Sequence, residues 1–190
     1  MNDIFETDRL ILRHFVESDA SDFFEYASDH EVGDRAGFPP HPNVEFSLEF
    51  LKKNFIPNPD IYALVLKSEN KVIGAIELRN AHNKDSFEDL NLPLNTYEIG
   101  ASLNPKYWSH GYMSEAAIKL IDYAFNELNS EGVYATTSSK NIGSQKLQEK
   151  CGMKYIDSIP QERKWIDGSE NETQRRGITR VDYMKEKRVV

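Results

Sequence analysis

The sequence predicts an α+β (mixed α/β) fold, with a central, mostly antiparallel sheet of six to seven strands flanked by four helices. Segments in which apolar residues alternate with period two are interleaved with segments of helical period. Two strand segments are joined by a short polar turn, which is typical of an antiparallel hairpin and not of a doubly wound parallel sheet. No internal repeat or low-complexity linker interrupts the chain, so we expect one domain over residues 1–190.

The first part of the chain predicts one strand and two helices. Residues 7–13 alternate and form a short strand after an extended N-terminal arm. Residues 17–27 carry alanine and phenylalanine at helical spacing, and residues 44–55 return to the same period. Between them, residues 33–43 contain two glycines and three prolines, so we expect a loop.

The middle of the chain predicts a hairpin followed by one more strand. Residues 61–66 and 72–78 are apolar strand segments, and the polar residues 68–71 form the turn between them. Residues 80–95 are rich in Asn and Asp and form a long connection. Residues 96–103 are the predicted fourth strand, in which a glycine at position 100 indicates a bulge or a close backbone approach.

The last part of the chain alternates helices and strands. The longest helical pattern in the sequence is found here, and a polar stretch near the end predicts a loop. The predicted elements are a helix at 112–128, the fifth strand at 131–137, a helix at 144–151, a strand beginning at 153–156, a loop at 167–176 and a closing strand at 178–184.

Composition excludes several classes of protein. Hydrophobic residues make up 39% of the chain and aromatic residues 11%, which is enough for a continuous core and excludes global disorder. No apolar run approaches the roughly 18 residues of a membrane helix, and the N-terminal residues lack the pattern of a signal peptide. The single cysteine, Cys151, suits a reducing compartment, so we expect a cytoplasmic protein without a membrane partner.

The charge balance bears on the partners. The net charge of −8 disfavours a broad nucleic-acid-binding surface, which needs basic residues to neutralise phosphates. The same charge would attract a cationic partner, although many proteins carry such a charge for solubility alone. We therefore expect no direct binding to nucleic acid.

Residues 104–116 are the most informative segment. A strand ends just before them and a long amphipathic helix begins near Gly111, so the first N–H groups of that helix have no partner within it. Such a helix start binds anions, and a glycine lets a phosphate approach the backbone. The alternative is an ordinary glycine turn, capped by Ser109 or Ser114, that binds nothing.

Residues 140–153 form a second informative segment. Asn141 follows the fifth strand, where its amide could bond to donor and acceptor groups of a ligand. Ser144 could be the N-cap of the next helix. Cys151 lies at the end of that helix before Gly152, where the helix dipole disfavours a thiolate, so we expect a core residue and not a nucleophile.

Other ligand motifs are missing from the sequence. Neither a P-loop nor a Gly-x-Gly-x-x-Gly motif occurs, which argues against nucleoside triphosphate hydrolysis and dinucleotide binding. The five histidines show no i,i+4 pairing and no cysteine cluster accompanies them, so we expect no metal site. His41 lies in the Pro-rich loop, and we expect it to be exposed.

Taken together, these segments resemble the GCN5-related N-acetyltransferase (GNAT) superfamily. Trp108-x-x-Gly111-x-Met113 stands where the family carries Arg/Gln-x-x-Gly-x-Gly/Ala, with Trp108 and Met113 as departures from that pattern. The sequence is also similar to that of the ribosomal-protein N-terminal acetyltransferase branch (RimJ/RimL-like) of this superfamily. The residues that resemble this branch are 9–13, 97–100 and 108–116, whereas Asn141-x-x-Ser144 with residues 150–153 resembles the helix motif that follows in the GNAT family as a whole.

The resemblance implies a GNAT fold whose sheet is splayed between the fourth and fifth strands, where acetyl-CoA lies. It implies that backbone groups of the fourth strand bind the pantetheine arm and that the following turn binds the pyrophosphate. The implied pantetheine contacts are Ala101, Ser102, Leu103 and Asn141. The implied pyrophosphate contacts are the N–H groups of Ser109, His110, Gly111, Tyr112, Met113 and Ser114.

The implied reaction is direct attack of a neutral primary amine on the thioester within a ternary complex. Glu98 is the candidate base, and the alternative is a strand residue in an ion pair across the sheet. Ser144 could donate a proton to the departing thiolate, and Tyr155 is an alternative donor that is more simply a core residue.

The resemblance leaves the acceptor and the assembly open. The acceptor could be a protein N-terminus or a small-molecule amine, and the chain could form a homodimer. The alternative from another class is a noncatalytic acyl-CoA-binding sensor or interaction module on the same fold.

Overall fold

The computed structural model describes residues 4–36, 38–83, 85–161, 164–165 and 167–187. It contains eight strands and six α-helices over those residues. The strands are β1 (Phe5–Glu6), β2 (Leu10–Arg13), β3 (Ile61–Leu66), β4 (Lys71–Asn80), β5 (Thr96–Leu103), β6 (Gly132–Ser138), β7 (Lys154–Gln161) and β8 (Asn171–Thr179). The helices are α1 (Ala20–Ala27), α2 (His30–Ala36), α3 (Val44–Phe50), α4 (Tyr112–Asn126), α5 (Ile142–Lys150) and α6 (Arg180–Lys187).

The strands form one sheet in the order β1-β2-β3-β4-β5-β6-β8-β7. Neighbours β1 to β4 pair antiparallel, as do β6 with β8 and β8 with β7. Only β5 and β6, the predicted fourth and fifth strands, are recorded as a parallel pair among the described residues. Their ladder begins at Thr96↔Gly132 and its last register pair is Glu98↔Tyr134, well before β5 itself ends at Leu103. The prediction of a mixed, mostly antiparallel sheet is confirmed. The described residues form eight strands and six α-helices, whereas six to seven strands and four helices were predicted, because the short elements β1 and α2 and the C-terminal α6 were not expected.

The chain divides into two compact units. Unit 1 comprises Met1–Glu77 with Ala101–Ala116, and unit 2 comprises Leu78–Gly100 with Ala117–Val190. The boundaries fall inside β4, β5 and α4. The single domain expected from the sequence stays a prediction.

The core of unit 1 is built on β3, whose six residues are all buried. A continuous apolar run of this kind is typical of a strand that is covered on both faces. Buried side chains of α1, including Phe23 and Tyr26, pack in the same cluster as Phe15 and Leu51. Asn43 begins α3 as its N-cap, accepting a hydrogen bond from the Phe46 N–H at 2.8 Å.

The predicted exposure of His41 is wrong. The side chain is 4% exposed and packs among the rings of phenylalanines. Its Nδ1 lies 2.8 Å from Ser47 Oγ, and burial lowers its pKa. The sequence interpretation failed here because the proline-rich segment around His41 packs on α1 and α3. The aromatic neighbours are Phe23, Phe38, Phe46 and Phe50.

The core of unit 2 includes β6, in which Tyr134 is buried. Strand β6 pairs with β8 from Gly132↔Thr179 to Ser138↔Thr173. The ring of Tyr134 packs against two glycines of the sheet. A Cβ added at Gly132 would lie 2.7 Å from this ring, and a Cβ added at Gly177 would lie 2.5 Å from it. The two glycines therefore make room for this ring on the sheet.

The sequence prediction fails most clearly at the end of the chain. The predicted loop at 167–176 is strand β8 from Asn171 onward. The predicted strand at 178–184 ends at Thr179, because Arg180–Lys187 form α6. Strand β8 has no apolar alternation because it buries Arg175 and Arg176, whose charges are paired.

Smaller differences concern boundaries in the rest of the chain. The predicted loop at 33–43 begins later than expected, because helix α2 runs through Ala36, and residue 37 of that loop lies outside the described residues. The connection before β5 contains 3-10 turns at Ala81–Asn83 and Asp85–Leu90. In the part of the chain that the structure describes, no helix is both long enough and apolar enough to span a bilayer.

Candidate functional site

The turn after β5 is held by side-chain hydrogen bonds within unit 1. Asn104 Oδ1 accepts from the Lys106 N–H at 3.0 Å and so begins the 3-10 turn Pro105–Tyr107. Trp108 Nε1 donates to the Leu103 carbonyl at 2.8 Å. The tryptophan that departs from the family motif therefore ties the turn to the strand end, and it offers no charge to a ligand.

The predicted pyrophosphate segment forms a tight turn directly before α4. Ser109 and Gly111 both have left-handed backbones, with φ of 65° and 81°. The first N–H of α4 that bonds to a backbone carbonyl among the described residues is that of Glu115, which donates to Gly111 O at 3.0 Å. The three preceding residues of the helix, residues 112–114, leave their N–H groups without a partner in the described part of the chain.

These N–H groups carry the partial positive charge of the helix start and can bind an anionic group such as a phosphate. Ser114 is buried in the first turn of α4, and ligand binding at this turn stays a prediction. Ser109 and His110 are exposed, whereas Met113 is buried and can offer only its backbone. The geometry therefore fits a phosphate held by the main chain.

The predicted pantetheine contacts lie at the end of β5. Ala101 is exposed, and Ser102 and Leu103 are partly buried. The carbonyl of Ser102 lies 2.5 Å from where a Cβ at Gly74 would be, so β4 approaches β5 closely at this point. The Leu103 carbonyl already accepts from Trp108. These contacts show how the strand end is held, and its role toward a cofactor stays a prediction.

Glu98, the candidate base, lies in unit 2 and is 3% exposed. Its Oε2 accepts two hydrogen bonds from Arg79, at 2.6 Å from Nη2 and 3.0 Å from Nε. Thr136 Oγ1 lies 3.5 Å from the other carboxylate oxygen, Oε1. The structure thus contains the ion pair of the alternative interpretation, and the role of Glu98 as a base stays a prediction. The partner Arg79 was missed, because the register of β4 and β5 cannot be read from the sequence.

Asn141 and Ser144 lie together at the start of α5, also in unit 2. The helix begins at Ile142, so its N-cap is Asn141, which accepts from the Ser144 N–H at 3.2 Å. The prediction of Ser144 as the N-cap is wrong because the helix starts earlier than its apolar pattern indicates. The Ser144 hydroxyl accepts from Gln148 Nε2 at 3.3 Å, which leaves its own proton free to be donated.

Two further side chains were assigned from the sequence. Cys151 is buried, and burial raises the pKa of its thiol to about 11, as expected of a core residue. Tyr155 is 52% exposed, and its hydroxyl lies 3.0 Å from Ser158 Oγ. The expectation that Tyr155 is a core residue is wrong, because β7 is the last strand of the sheet.

Metal ligands are not assembled anywhere among the residues that the structure describes: no three His, Cys, Asp or Glu side chains come together. Each unit thus holds its own part of the predicted residues. Unit 1 contains the strand end and the turn, whereas unit 2 brings Glu98 next to Arg79 and Asn141 next to Ser144.

Comparison with known proteins gives consistent results. The profile of the family described as "Acetyltransferase (GNAT) domain" matches residues 9–154. The Bacillus subtilis protein YnaD, named as an uncharacterized N-acetyltransferase, is 31% identical over 169 residues, which cover 85% of this chain and 91% of YnaD.

Solved structures agree with the sequence comparison. An acetyltransferase (GNAT family) from Bacillus anthracis is 27% identical with a TM-score of 0.75, covering 94% of this chain and 99% of its own. Spermidine N-acetyltransferase from Vibrio cholerae, solved with CoA and spermine, is 19% identical with a TM-score of 0.71, at coverages of 94% and 99%. At 19% identity, the similarity to the spermidine N-acetyltransferase shows a shared fold and nothing more.

Proposed function

The chain belongs to the GNAT family of acetyltransferases, and from this premise we propose that it transfers the acetyl group of acetyl-CoA to a primary amine. The observation that carries the proposal is the turn before α4. It combines a left-handed Gly111 with helix N–H groups that have no partner in the described residues. A pyrophosphate is the ligand that such a turn fits best.

The proposed cofactor contacts in unit 1 follow from this geometry. The backbone of the turn, from Ser109 to Ser114, would bind the pyrophosphate, and the end of β5 would bind the pantetheine arm. Acetyl-CoA supplies the activated acyl group, and the protein supplies orientation. In unit 2, Asn141 is proposed as a further pantetheine contact.

The proton-transfer groups belong to unit 2. Glu98 is the proposed acceptor of the ammonium proton, directly or through water, and Oε1 is the oxygen that Arg79 leaves available. Ser144 is the proposed donor to the CoA thiolate, because Gln148 occupies its acceptor side. The amine would attack the thioester directly once both substrates are bound.

The acceptor is proposed to be cationic, either a protein N-terminus, as the likeness to the RimJ/RimL-like branch favours, or a small polyamine or amino acid. The net charge of −8 supports a cationic acceptor. The structural neighbour from Vibrio cholerae is named for spermidine and was solved with spermine, which makes polyamines worth including in the test. The free Cys151 supports a cytoplasmic location, and a homodimer is the proposed assembly.

Thiol release tests the proposal. The purified protein is incubated with acetyl-CoA and a panel of amines: spermidine, free amino acids, and a peptide with a free N-terminus. The same peptide with an acetylated N-terminus and no lysine is the matched control. We expect thiol release that depends on one acceptor class and is lost with the blocked peptide. Thiol release at the same rate with and without an amine acceptor would contradict transfer to an amine.

A second candidate function is supported by the Glu98–Arg79 pair, because a carboxylate held by a guanidinium serves structure as readily as catalysis. The protein would then bind acyl-CoA without turning it over and act as a sensor or interaction module. Binding of acetyl-CoA with no thiol release for any acceptor in the panel would favour this function.

A further inference from the structure

A carboxylate in the first turn of α4 holds the N-terminal segment of the chain. Glu115 Oε1 accepts from Thr7 Oγ1 at 2.5 Å and from the Arg9 backbone N–H at 3.0 Å. Its Oε2 accepts from Arg9 Nε at 2.7 Å and lies 2.6 Å from Arg9 Nη2. One side chain near the predicted phosphate turn thus accepts from two residues, Thr7 and Arg9, of the three-residue segment that leads into β2.

Arg9 extends the same contacts to the turn itself. Its Nη1 donates to the His110 carbonyl at 3.0 Å, and its guanidinium lies 4.4 Å from the centre of the Tyr112 ring. The guanidinium therefore joins Glu115 to the peptide that precedes Gly111. All of these residues belong to unit 1.

Peptide geometry links this contact to the turn's donors. In a trans peptide the C=O and N–H point in opposite directions, so the pull of Arg9 on the His110 carbonyl directs the Gly111 N–H away from Arg9. The next peptide is held in the same way, because the Gly111 carbonyl accepts from the Glu115 N–H at 3.0 Å. The N–H groups of Gly111 and Tyr112 are thereby fixed in orientation before any ligand binds.

The charge balance also favours anion binding. A lone carboxylate in the first turn would repel a phosphate at the same helix start. Partial burial disfavours ionisation of Glu115, but the hydrogen bonds from Thr7 and Arg9 outweigh it, so its pKa lies below the usual range. The guanidinium neutralises this carboxylate, so the backbone dipoles are left to act on the ligand.

We propose that Arg9 is a positioning residue for the phosphate-binding turn, with Glu115 as its anchor and without contact to the reacting atoms. This rests on the proposed function, since it assigns a role toward acetyl-CoA. Cofactor affinity would then depend on an N-terminal strand about a hundred residues away in sequence.

The test compares the variant Arg9→Lys with Glu6→Gln. Arg9 reaches Glu115 and the His110 carbonyl through separate nitrogens of one planar guanidinium, whereas lysine keeps the charge but would have to reach both with a single nitrogen. Glu6 is the last residue of β1, just before this segment, and its carboxylate pairs with Lys67, so it is the matched control. Arg9 is 45% exposed, so the variant is expected to fold, and a thermal melt checks this.

Two acetyl donors distinguish a loss of phosphate binding from a general loss of structure in the protein. One is acetyl-CoA, and the other is S-acetylpantetheine, which lacks the nucleotide and all phosphates. We expect Arg9→Lys to raise the Kd for acetyl-CoA about tenfold, the effect of losing one well-formed hydrogen bond to a charged group. The kcat/KM for S-acetylpantetheine should stay within about twofold of wild type. Glu6→Gln should change neither value.

An equal loss with both donors, or no loss with either, would overturn the positioning role of Arg9. Failure of the wild-type protein to bind acetyl-CoA would instead overturn the proposed function, and the positioning role with it.

Discussion

The Arg79 guanidinium donates two hydrogen bonds to a single carboxylate oxygen of Glu98, at 2.6 and 3.0 Å. The two residues lie on β4 and β5, and Glu98 is almost fully buried. Among the residues that the structure describes, Oε1 has only a long contact, to Thr136 Oγ1 at 3.5 Å. The same carboxylate can therefore hold the sheet together through one oxygen and accept a proton at the other.

Replacing Glu98 tests this double role. We expect Glu98→Gln to lower turnover at neutral pH by on the order of 100-fold, because an amide cannot accept the ammonium proton. The Kd for acetyl-CoA should be unchanged in a titration. Glu172→Gln, at an exposed position of β8, is the control. Turnover equal to that of wild type would remove Glu98 from the role of base.

Gly111 is expected to control cofactor affinity. Its φ of 81° is strained for a branched residue, and a side chain would block the approach of a phosphate. We expect Gly111→Val to weaken acetyl-CoA binding at least about 100-fold, the loss of several contacts. Gly168 has a φ of 78° and open space around it, so Gly168→Val controls for backbone strain alone. Equal affinity for Gly111→Val and wild type would exclude the turn as the phosphate site.

Arg175 is expected to be essential for stability. It is 1% exposed and donates to Asp157 Oδ1 at 2.7 Å and Asp89 Oδ2 at 2.9 Å. The variant Arg175→Met loses these charge-assisted hydrogen bonds, while the carboxylates of Asp89 and Asp157 stay in contact with water. Arg175→Met should therefore lower the free energy of unfolding by about 1.5–3 kcal/mol. Urea denaturation measures this change. The exposed pair Lys164–Glu170 supplies the control Lys164→Met, and a matching small effect for both variants would contradict the prediction.

The ion pairs of Glu25 are expected to stabilise the folded protein at neutral pH and to lose this effect in acid. Hydrogen bonds from Lys71 and then Lys106 lower the pKa of this carboxyl to about 2. The unfolded chain binds the proton more readily, so the stabilisation is complete above the ordinary pKa of about 4.5 and is lost as the pH falls toward 2.

The measurement is the melting temperature of Glu25→Gln and wild type between pH 7 and pH 2.5. We expect the variant to be less stable by about 1–2 kcal/mol at pH 7, and the difference to shrink as the pH falls. Glu45→Gln, at an exposed site of α3, is the control. A difference that stays constant over this range would show that the carboxylate charge of Glu25 contributes nothing.

Cys151 is expected to resist thiol reagents. Burial raises the pKa of the thiol to about 11, so little thiolate forms at pH 8. Native protein should react with a maleimide or a disulfide reagent much more slowly than urea-unfolded protein, as followed by mass spectrometry. Rapid labelling of the native protein, with loss of acetyl transfer, would contradict a purely structural role.

Elements with strong apolar periodicity were predictable from the sequence. The six residues of β3 are apolar throughout, and α4 carries a clear helical pattern, so both appear where expected. Strand β8 was not predictable, because Arg175 and Arg176 are buried through ion pairs whose partners come from other elements. Helix α2 was missed because it ends next to the glycine and prolines of the following loop.

The candidate site was predictable to the extent that it is local in sequence. The turn before α4 is encoded within a few residues around Gly111, and its geometry follows the expected pattern. The partners Arg79 of Glu98 and Arg9 of Glu115 depend on strand register and on tertiary packing. Such pairings are set by the whole fold, so no local pattern reveals them.

The most direct test of the account is calorimetric titration of the purified protein with acetyl-CoA, with ATP and NAD as control ligands. We expect saturable binding of acetyl-CoA with a Kd in the micromolar range and no comparable binding of ATP or NAD. Absence of acetyl-CoA binding, or equal binding of ATP, would contradict the claim that the turn at Gly111 is part of an acetyl-CoA site.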